Sequence, residues 1–477
     1  MNNTYVAVVL AAGKGTRMRS NLPKVLHQVA GLPLMAHVLN ALDDIPTAAA
    51  FVELRATLES HRPVVVVGYG AEHVAALFGQ RCHYALQEEQ LGTGHAVLMV
   101  REEVEALQPV PDTVLVCYGD TPLVSSEVLA KLLAEHRQRQ ATVTFLTGIA
   151  NLPSDYGRVV RDEQGRVREI VEVKRATPEH LQGREVNSGV YCFERTWLWS
   201  ELERLPRNPT GEYYLTDLIG IAGAQGWVVA TVTGSLDETV GINNRVQLAE
   251  VEQLVRRRIL EKHMLAGVTI IDPGSTYISA GVEIGMDTII LPGTTLSGPT
   301  RIGSNCRIGP YSTIEHSVIG DGCIVRQSVL EETTFEENVS IGPFGHCRPG
   351  AYLARGVRLG NFGEVKNSYI GPETDMHHFG YVGDATLGEK VNVGAGAITC
   401  NYDGVRKNRT IIGNGASIGS DTMLVAPVTI GEHAITGAGS VVKHDVPAGA
   451  VVAGVPARLL HVAQAVDTSS AEGSKKE

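Results

Sequence analysis

From Ile284 onward, aliphatic residues recur every six positions: Ile284, Ile290, Leu296, Ile302, Ile308 and Ile314, often with glycine next, as in Ile284-Gly285, Ile302-Gly303 and Ile308-Gly309. A helix repeats at about 3.6 residues and a half-buried strand at two, so six belongs to neither. The phase slips and returns at Ile341-Gly342, Leu353, Leu359-Gly360 and Val365, then at Ile412-Gly413, Ile418-Gly419, Leu424 and Ile430-Gly431. A fixed short period of this kind predicts a β-solenoid. Each hexapeptide supplies one face of a triangular coil, its aliphatic residue pointing inward and glycine or a small residue at the corner, where a Cβ would clash. A sandwich of unrelated short strands would instead alternate with period two and turn irregularly.

Of the 52 glycines, 29 lie between Gly281 and Gly454, whereas Trp197, Trp199 and Trp227, the only three tryptophans, precede that stretch. The two halves obey different rules. A length of 477 residues also exceeds what one core supports, so two domains of roughly 200 residues are expected. With 41 Lys and Arg against 52 Asp and Glu, the net charge of −11 argues against nucleic acid as a partner. Short apolar runs and the absence of a basic leader point to a cytoplasmic protein without membrane association. Seven cysteines without a CxxC spacing suit reduced thiols, not a disulfide framework or a structural zinc. One polar, basic segment, Thr399–Arg409, breaks the six-residue period and is expected to leave the coil as a loop without a partner on its own coil. It is either a tolerated insertion or a functional arm.

The first half opens on Tyr5-Val6-Ala7-Val8-Val9-Leu10, which reads as a buried parallel strand, followed at once by Ala11-Ala12-Gly13-Lys14-Gly15-Thr16-Arg17-Met18. Nucleotides dock at such turns in open α/β sheets. Small residues admit phosphate oxygens to backbone N–H groups, and Lys14, Arg17 and Lys24 supply positive charge. Neither GxxxxGK[ST] nor GxGxxG is present, which disfavours ATPase chemistry and dinucleotide cofactors. Further strands are predicted at Val64–Val67 and Thr113–Tyr118. The second runs into Gly119-Asp120, where the carboxylate is either a turn residue or a Mg²⁺ ligand.

LAAGKGTRM with Pro23-Lys24, QEEQLGTGHA from Gln87 to Ala96, Tyr118-Gly119-Asp120, Tyr156-Gly157-Arg158, Ile170-Val171-Glu172, Asn187-Ser188-Gly189 and Gly241-Ile242-Asn243-Asn244 occur in the order found in sugar-1-phosphate nucleotidylyltransferases. Joined to the hexapeptide array, the chain resembles, over about residues 4 to 456, the bacterial family of bifunctional N-acetylglucosamine-1-phosphate uridylyltransferase/glucosamine-1-phosphate N-acetyltransferases. The resemblance implies a Rossmann-like α/β nucleotidyltransferase domain over residues 1–242, a connecting helix over 243–265, a left-handed parallel β-helix over 266–460 and a disordered tail over 461–477. The stretch between Thr47 and Arg62 is longer than the family norm and reads as a surface elaboration.

For the first site the resemblance assigns Arg17 and Lys24 to phosphates, Gln87, Gln90, Gly92 and Thr93 to uracil and ribose, and Asp120 with Asn243 to Mg²⁺. Gly157, Glu172 and Asn187 would hold the amino sugar, and Leu10, Gly13 and Tyr118 complete the UTP and sugar-phosphate set. For the second site it assigns Arg348, Lys366, Tyr381, Asn392 and Lys407 to glucosamine 1-phosphate, and Ala395, Asn401, Tyr402, Ser420 and Ala438 to acetyl-CoA. Of the adjacent His377 and His378, alignment through Tyr381-Val382-Gly383-Asp384 selects His378 as the catalytic base, and histidine's ordinary pKa suits that role. Asn401 and Ser420 would polarise the thioester. Glu364 is either an orienting partner of the imidazole or an exposed carboxylate. Gly454-Val455-Pro456 stands where some members carry an arginine, leaving Arg458 as the candidate anchor for the coenzyme's phosphates. The family also implies a homotrimer that shares acetyl-transfer sites between subunits.

Leu248, Val251, Val255 and Ile259, spaced three, four and four, predict an amphipathic helix across Asn243–Met264 with Arg256-Arg257-Arg258 elsewhere on its surface. A nucleotidylyltransferase with a purely structural solenoid and a non-catalytic paralogue are the competing readings. The first has no use for Arg348, Lys366, His378, Tyr381 and Asn401 together, and the second would be expected to lose Arg17, Lys24 or Asp120.

Overall fold

All seven residues of the strand Thr4–Leu10 are buried, as a strand covered on both faces must be. In the computed structural model of the chain, which describes residues 4–51, 59–151, 154, 156–208 and 211–462, Val64–Val67 and Thr113–Tyr118 flank it in parallel. His83–Leu86 extends the parallel part, and Glu185–Glu194 continues the sheet antiparallel beyond Thr113–Tyr118. Tyr5, Ala7 and Val9 pack in one core with Met35, Leu39, Leu129 and Leu133. Val6, Val8 and Leu10 pack in a second with Val97, Val100, Phe193 and Trp197. Alternate side chains thus serve opposite layers of an α/β sandwich. Gly119 N donates to Leu10 O at 3.0 Å, Ala11 N to Val66 O at 2.9 Å and Gln87 N to Val67 O at 2.8 Å, so the turns leaving all four parallel strands share one edge.

The chain divides into two compact units, Met1–Val255 and Arg256–Glu477. The division falls within the helix Arg245–Leu265 and not at its start. Val251, Val255, Leu260 and His263 are its buried residues, with Leu248 and Ile259 half-buried and Arg257 exposed. Arg256 lies 4.3 Å over the Tyr277 ring.

In the second unit, strands of two to four residues form three parallel ladders in which, up to Ile435–Thr436, each strand pairs with the third one after it. Ile284 opposes Ile302, Ile290 opposes Ile308 and Leu296 opposes Ile314. The six-residue series therefore deals its members in turn to three faces of an eighteen-residue coil. The phase slips where coils shorten: Ile308 opposes Val325 and Ile314 opposes Leu330. These side chains form one continuous core from Leu260 to Val452.

Glycines make some of the corners, as expected: Gly293, Gly298 and Gly322 are left-handed at φ 71°, 65° and 67°, but large residues share that role. Tyr311, Phe344 and Phe362 occupy left-handed corner positions at φ 49°, 61° and 56°. The glycine after the inward residue has a further role, clearance between coils: a Cβ on Gly360 would stand 1.9 Å from His377 O, and one on Gly371 2.2 Å from Gly388 O. Strand Arg458–Val462 runs antiparallel to Ala450–Ala453, so His461 and Val462, expected in the tail, belong to the last sheet. Residues 463–477, and 52–58 of the expected elaboration, lie outside the described residues.

Candidate active sites

At the carboxyl edge of the first unit's sheet, a cavity of about 370 Å³ is lined by Leu10, Gly13, Lys24, Gln87, Gln90, Gly92, Thr93, Tyr118, Asp120 and Asn243. Lys24 Nζ is ion-paired with Asp120 and donates to Asn243 Oδ1 at 3.2 Å. Arg17 Nη2 donates to the same oxygen at 2.9 Å. An ammonium thus rests between the two oxygen donors assigned to a cation, and a guanidinium beside it. Gln90 Nε2 donates to Ala12 O at 2.8 Å, which fixes its amide at the Ala11–Gly13 turn, and Gln87 Nε2 donates to Gly92 O at 3.2 Å. Gly92 has φ 101°, and a Cβ there would meet Tyr213 O at 2.6 Å.

Gly157, Glu172 and Asn187 sit beyond Tyr118. Asn187 N donates to Gly157 O at 2.9 Å, Asn187 Nδ2 to Tyr191 Oη at 2.6 Å, and Thr216 Oγ1 to Glu172 Oε1 at 2.9 Å. Burial, then the charges of Glu172 and Asp120, pushes the Tyr118 phenol well above its ordinary range, so it stays a neutral hydroxyl.

On the solenoid the assigned residues fall into two sets at opposite ends of one face. Asp375 opposes Asn392, Val393 opposes Ile418 and Ile418 opposes Thr436. Counting on from these pairs puts His378, Ala395, Ser420 and Ala438 at the same corner of four successive coils. Backbone bonds follow this register from Ala395 on, Asp421 N donating to Ala395 O at 2.7 Å and Gly439 N to Ser420 O at 2.8 Å, while at the His378 coil Gly396 N donates to Phe379 O at 2.7 Å. The antiparallel partner of Arg458 is Ala453, which packs against Gly437, next to the end of this ladder. Asn392 lies on the adjoining face, in the strand that enters the corner.

The second set stands where the strand Gly363–Lys366 ends, about 10 Å further along the face. Arg348 stacks beside Lys366, since Cys347 opposes Val365. Contact with Lys407, then the field of Arg348, holds the Lys366 ammonium below its ordinary pKa; two ammoniums in contact are relieved by an anion. Loop residues Asn401–Arg409 leave the coil after the strand Ile398–Cys400 and rejoin it at Thr410, with Tyr402 bridged to Lys407. Thr399 and Cys400, expected in the loop, remain in the coil. Contrary to expectation the loop is tied to its own coil: Arg409 Nη2 donates to Thr386 Oγ1 at 2.8 Å, and buried Asn401 donates to Asp384. Its tip, Tyr402 to Val405, is exposed.

Residues 7–207 match the MobA-like NTP transferase domain family, and residues 299–330 and 409–444 match the bacterial transferase hexapeptide family. The chain is 48% identical to the bifunctional protein GlmU of Heliobacterium modesticaldum, over 93% of this chain and 94% of the relative. It is 47% identical to that of an Exiguobacterium species, over 92% and 95%. This chain belongs to the GlmU family. It is accordingly a bifunctional enzyme that couples a nucleotidyltransferase to a hexapeptide-type transferase. The GlmU protein of Geobacillus thermodenitrificans is 46% identical over 94% of this chain and 95% of its own length.

Within this GlmU-type architecture Glu364 and Asn401 have partners of their own. Glu364 accepts from Arg348 Nη1 at 2.9 Å, so its carboxylate is engaged by the guanidinium and not by His378. Asn401 Nδ2 is committed to the Asp384 carboxylate and faces Tyr381 Oη at 3.4 Å; the reverse amide orientation would set oxygen against a carboxylate. With Nδ2 so placed, the side chain offers its Oδ1 as an acceptor. Sequence reasoning missed Asp384 as the anchor of Asn401, Thr216 and Tyr191 as the anchors of Glu172 and Asn187, and Glu212 in the cavity lining. Asp384 ends a quoted motif, but only the fold brings Asn367 and Asn401 onto its two oxygens.

Proposed function

We propose that this GlmU-family enzyme acetylates glucosamine 1-phosphate with acetyl-CoA on its solenoid, then transfers UMP from UTP to the resulting N-acetylglucosamine 1-phosphate in its first unit, releasing pyrophosphate. The observation that carries the second activity is the register of His378, Ala395, Ser420 and Ala438 along one corner, because folding requires neither an imidazole nor a hydroxyl there.

In the first site, Arg17 and Lys24 bind the triphosphate and the Tyr118 hydroxyl remains a neutral neighbour. Glu172 and Asn187, each held by a neighbouring hydroxyl, orient the sugar so that its phosphate oxygen attacks the α-phosphorus in line while the bond to pyrophosphate breaks. The Asp120 carboxylate and Asn243 amide oxygen already accommodate a cation, the Lys24 ammonium, so the donor set fits Mg²⁺. Among the described residues no cluster of three or more His, Cys, Asp or Glu could hold a metal, so phosphate oxygens and water would complete its shell. When bound, Mg²⁺ would neutralise charge developing on the phosphates.

In the second site, Arg348, Lys366 and Lys407 bind the sugar phosphate. Asn401 Oδ1 accepts from the sugar amine, and His378 takes its proton. Nitrogen bonds to the thioester carbonyl carbon, the carbon–sulfur bond breaks, and the proton passes to the leaving thiolate. His378 and the phosphate-binding cations stand at opposite ends of one face, which supports a homotrimer whose neighbours complete each site. Among the described residues no helix is long and apolar enough to cross a membrane, in keeping with a cytoplasmic enzyme acting on small molecules. The test is to incubate purified protein with glucosamine 1-phosphate, acetyl-CoA, UTP and Mg²⁺, omitting each in turn. UDP-N-acetylglucosamine should form only from the complete mixture, or from preacetylated sugar phosphate without acetyl-CoA. Formation of UDP-N-acetylglucosamine from preacetylated sugar phosphate, with no acetylation of glucosamine 1-phosphate in any mixture, would favour the structural-solenoid alternative.

A further inference from the structure

We infer that Gln247 is a positioning residue for nucleotidyl transfer, acting through the backbone of Asn243. The inference rests on the reading of Asp120 and Asn243 as the oxygen donors for the metal. Asn243 N donates to Gln247 Oε1 at 2.7 Å. The side chain of the intervening Asn244 caps the helix Arg245–Leu265, its Oδ1 accepting from Val246 N and from Gln247 N, each at 2.9 Å. This is an Asn-x-x-Gln capping box whose glutamine reaches one residue past the cap. One position earlier, buried Ile242 donates its N–H to Asp120 O at 3.2 Å. The backbone on both sides of Asn243's amide plane is therefore tied down, to the helix by Gln247 and to the metal-binding carboxylate's own residue by Ile242.

The consequence is directional. Asn243 Oδ1, already the acceptor of Arg17 and Lys24, is held facing Asp120 before any ligand arrives. The helix itself is fastened to the sheet domain, because Glu252 Oε2 accepts from Ala30 N at 2.7 Å, so Gln247 transmits a fixed position. If Gln247 is shortened, water satisfies the half-buried Asn243 N–H and the fold survives, but the amide loses its aim. Partners that orient metal ligands in this way are typically worth ten- to a hundredfold in affinity.

The experiment uses the full-length protein as Gln247→Ala, Gln247→Glu and Asn243→Ala, with Mn²⁺ as the probe and UTP present. Water-proton relaxation reports protein-bound Mn²⁺, and UMP transfer, acetyl transfer and thermal melting are followed in parallel. Gln247→Ala should weaken Mn²⁺ binding about tenfold and lower kcat for UMP transfer, leaving acetyl transfer and the melt unchanged. Gln247→Glu keeps an acceptor oxygen and should restore most of the affinity. Mn²⁺ binding within twofold of the parent in Gln247→Ala, alongside a clear loss in Asn243→Ala, overturns the inference and spares the metal assignment. No loss in Asn243→Ala overturns the metal assignment and the inference with it. Equal loss of melting temperature in both Gln247 variants, without rescue by glutamate, would make the role structural and also overturns it.

Discussion

The two sites of this enzyme are built on opposite plans. In the sheet domain, Lys24, Asp120 and Asn243 come from distant parts of the chain and line one cavity, and Arg17 is bonded to the same Asn243 oxygen as Lys24. On the solenoid, His378, Ala395, Ser420 and Ala438 repeat one structural position, while Lys366 and Arg348 stand at the other end of the face. A doubly wound sheet gathers functional groups because its parallel strands end along one edge. A coil distributes them, since every turn carries its neighbour's position one level further. The first plan yields a site whose polar groups satisfy one another inside a single chain; the second leaves its groups as rows along the coil.

The sharpest break of that comparison separates the two chemistries. Asp120→Ala removes the counter-charge of Lys24 and a metal oxygen, and should abolish UMP transfer while acetyl transfer stays within about twofold of the parent. His378→Ala removes the proton acceptor and should slow acetyl transfer by roughly 10²–10⁴-fold with UMP transfer intact. Separate assays on preacetylated and free sugar phosphate distinguish them. Loss of both activities in either well-folded variant would mean that the sites are not independent.

The same contrast explains what could be read from the chain alone. The period of six was legible because the coil imposes one inward residue per face, and Thr4–Leu10 because a strand buried on both sides must be continuously apolar. Asp120 was legible through its place at a strand's end. Partners that act across the coil were not: Glu364 turns to Arg348, and Asp384 takes the Asn401 amide, because stacking brings residues about seventeen positions apart into contact, and coils of unequal length hide that spacing. Large residues at left-handed corners, such as Phe344 and Phe362, were equally hidden. Their rings stack at 5.2 Å, a packing gain that offsets strained backbone and leaves no trace in composition.

A second break uses glycine. A Cβ on Gly13 meets nothing within 4 Å, because it opens onto the nucleotide cavity, whereas on Gly360 it would strike His377 O at 1.9 Å. Gly13→Ala should leave the melt unchanged and raise KM for UTP. Gly360→Ala forces apart the coils that carry His377 and His378. Overpacking of this kind costs roughly 1–3 kcal/mol, so a lower solenoid melting temperature should accompany reduced acetyl transfer, with UMP transfer unaffected. An unchanged melt for Gly360→Ala would show that the coils have slack that their register does not suggest.

The smallest expected effect is one of pH, and it too divides the halves. His136 is buried in the sheet domain on the helix Ser126–Gln138, with Nδ1 3.0 Å from Thr144 Oγ1. Burial, then the nearby Arg137 charge, lowers its pKa from 6.5 to about 4. The unfolded chain therefore binds this proton more readily between those values, and the folded state loses stability as pH falls from about 6.5 to about 4, levelling below. The full difference is about 3 kcal/mol, with about 2 kcal/mol lost by pH 5. Desolvation shifts His27 and His37 in the same direction, so the domain's total dependence should exceed the share of His136 alone. The coils of the second unit stack hydroxyls such as Thr288, Thr300 and Ser312, which do not titrate in this range, and among its described residues the one histidine lowered by burial is His263 in the helix before them. Because all three tryptophans lie in the sheet domain, their fluorescence during urea unfolding reports that domain by itself. Its midpoint should fall between pH 7 and pH 5, and His136→Gln, which keeps a hydrogen-bond partner but no proton uptake, should fall less. An identical fall in parent and variant would move the pH sensitivity to the other histidines and leave His136 a packing residue.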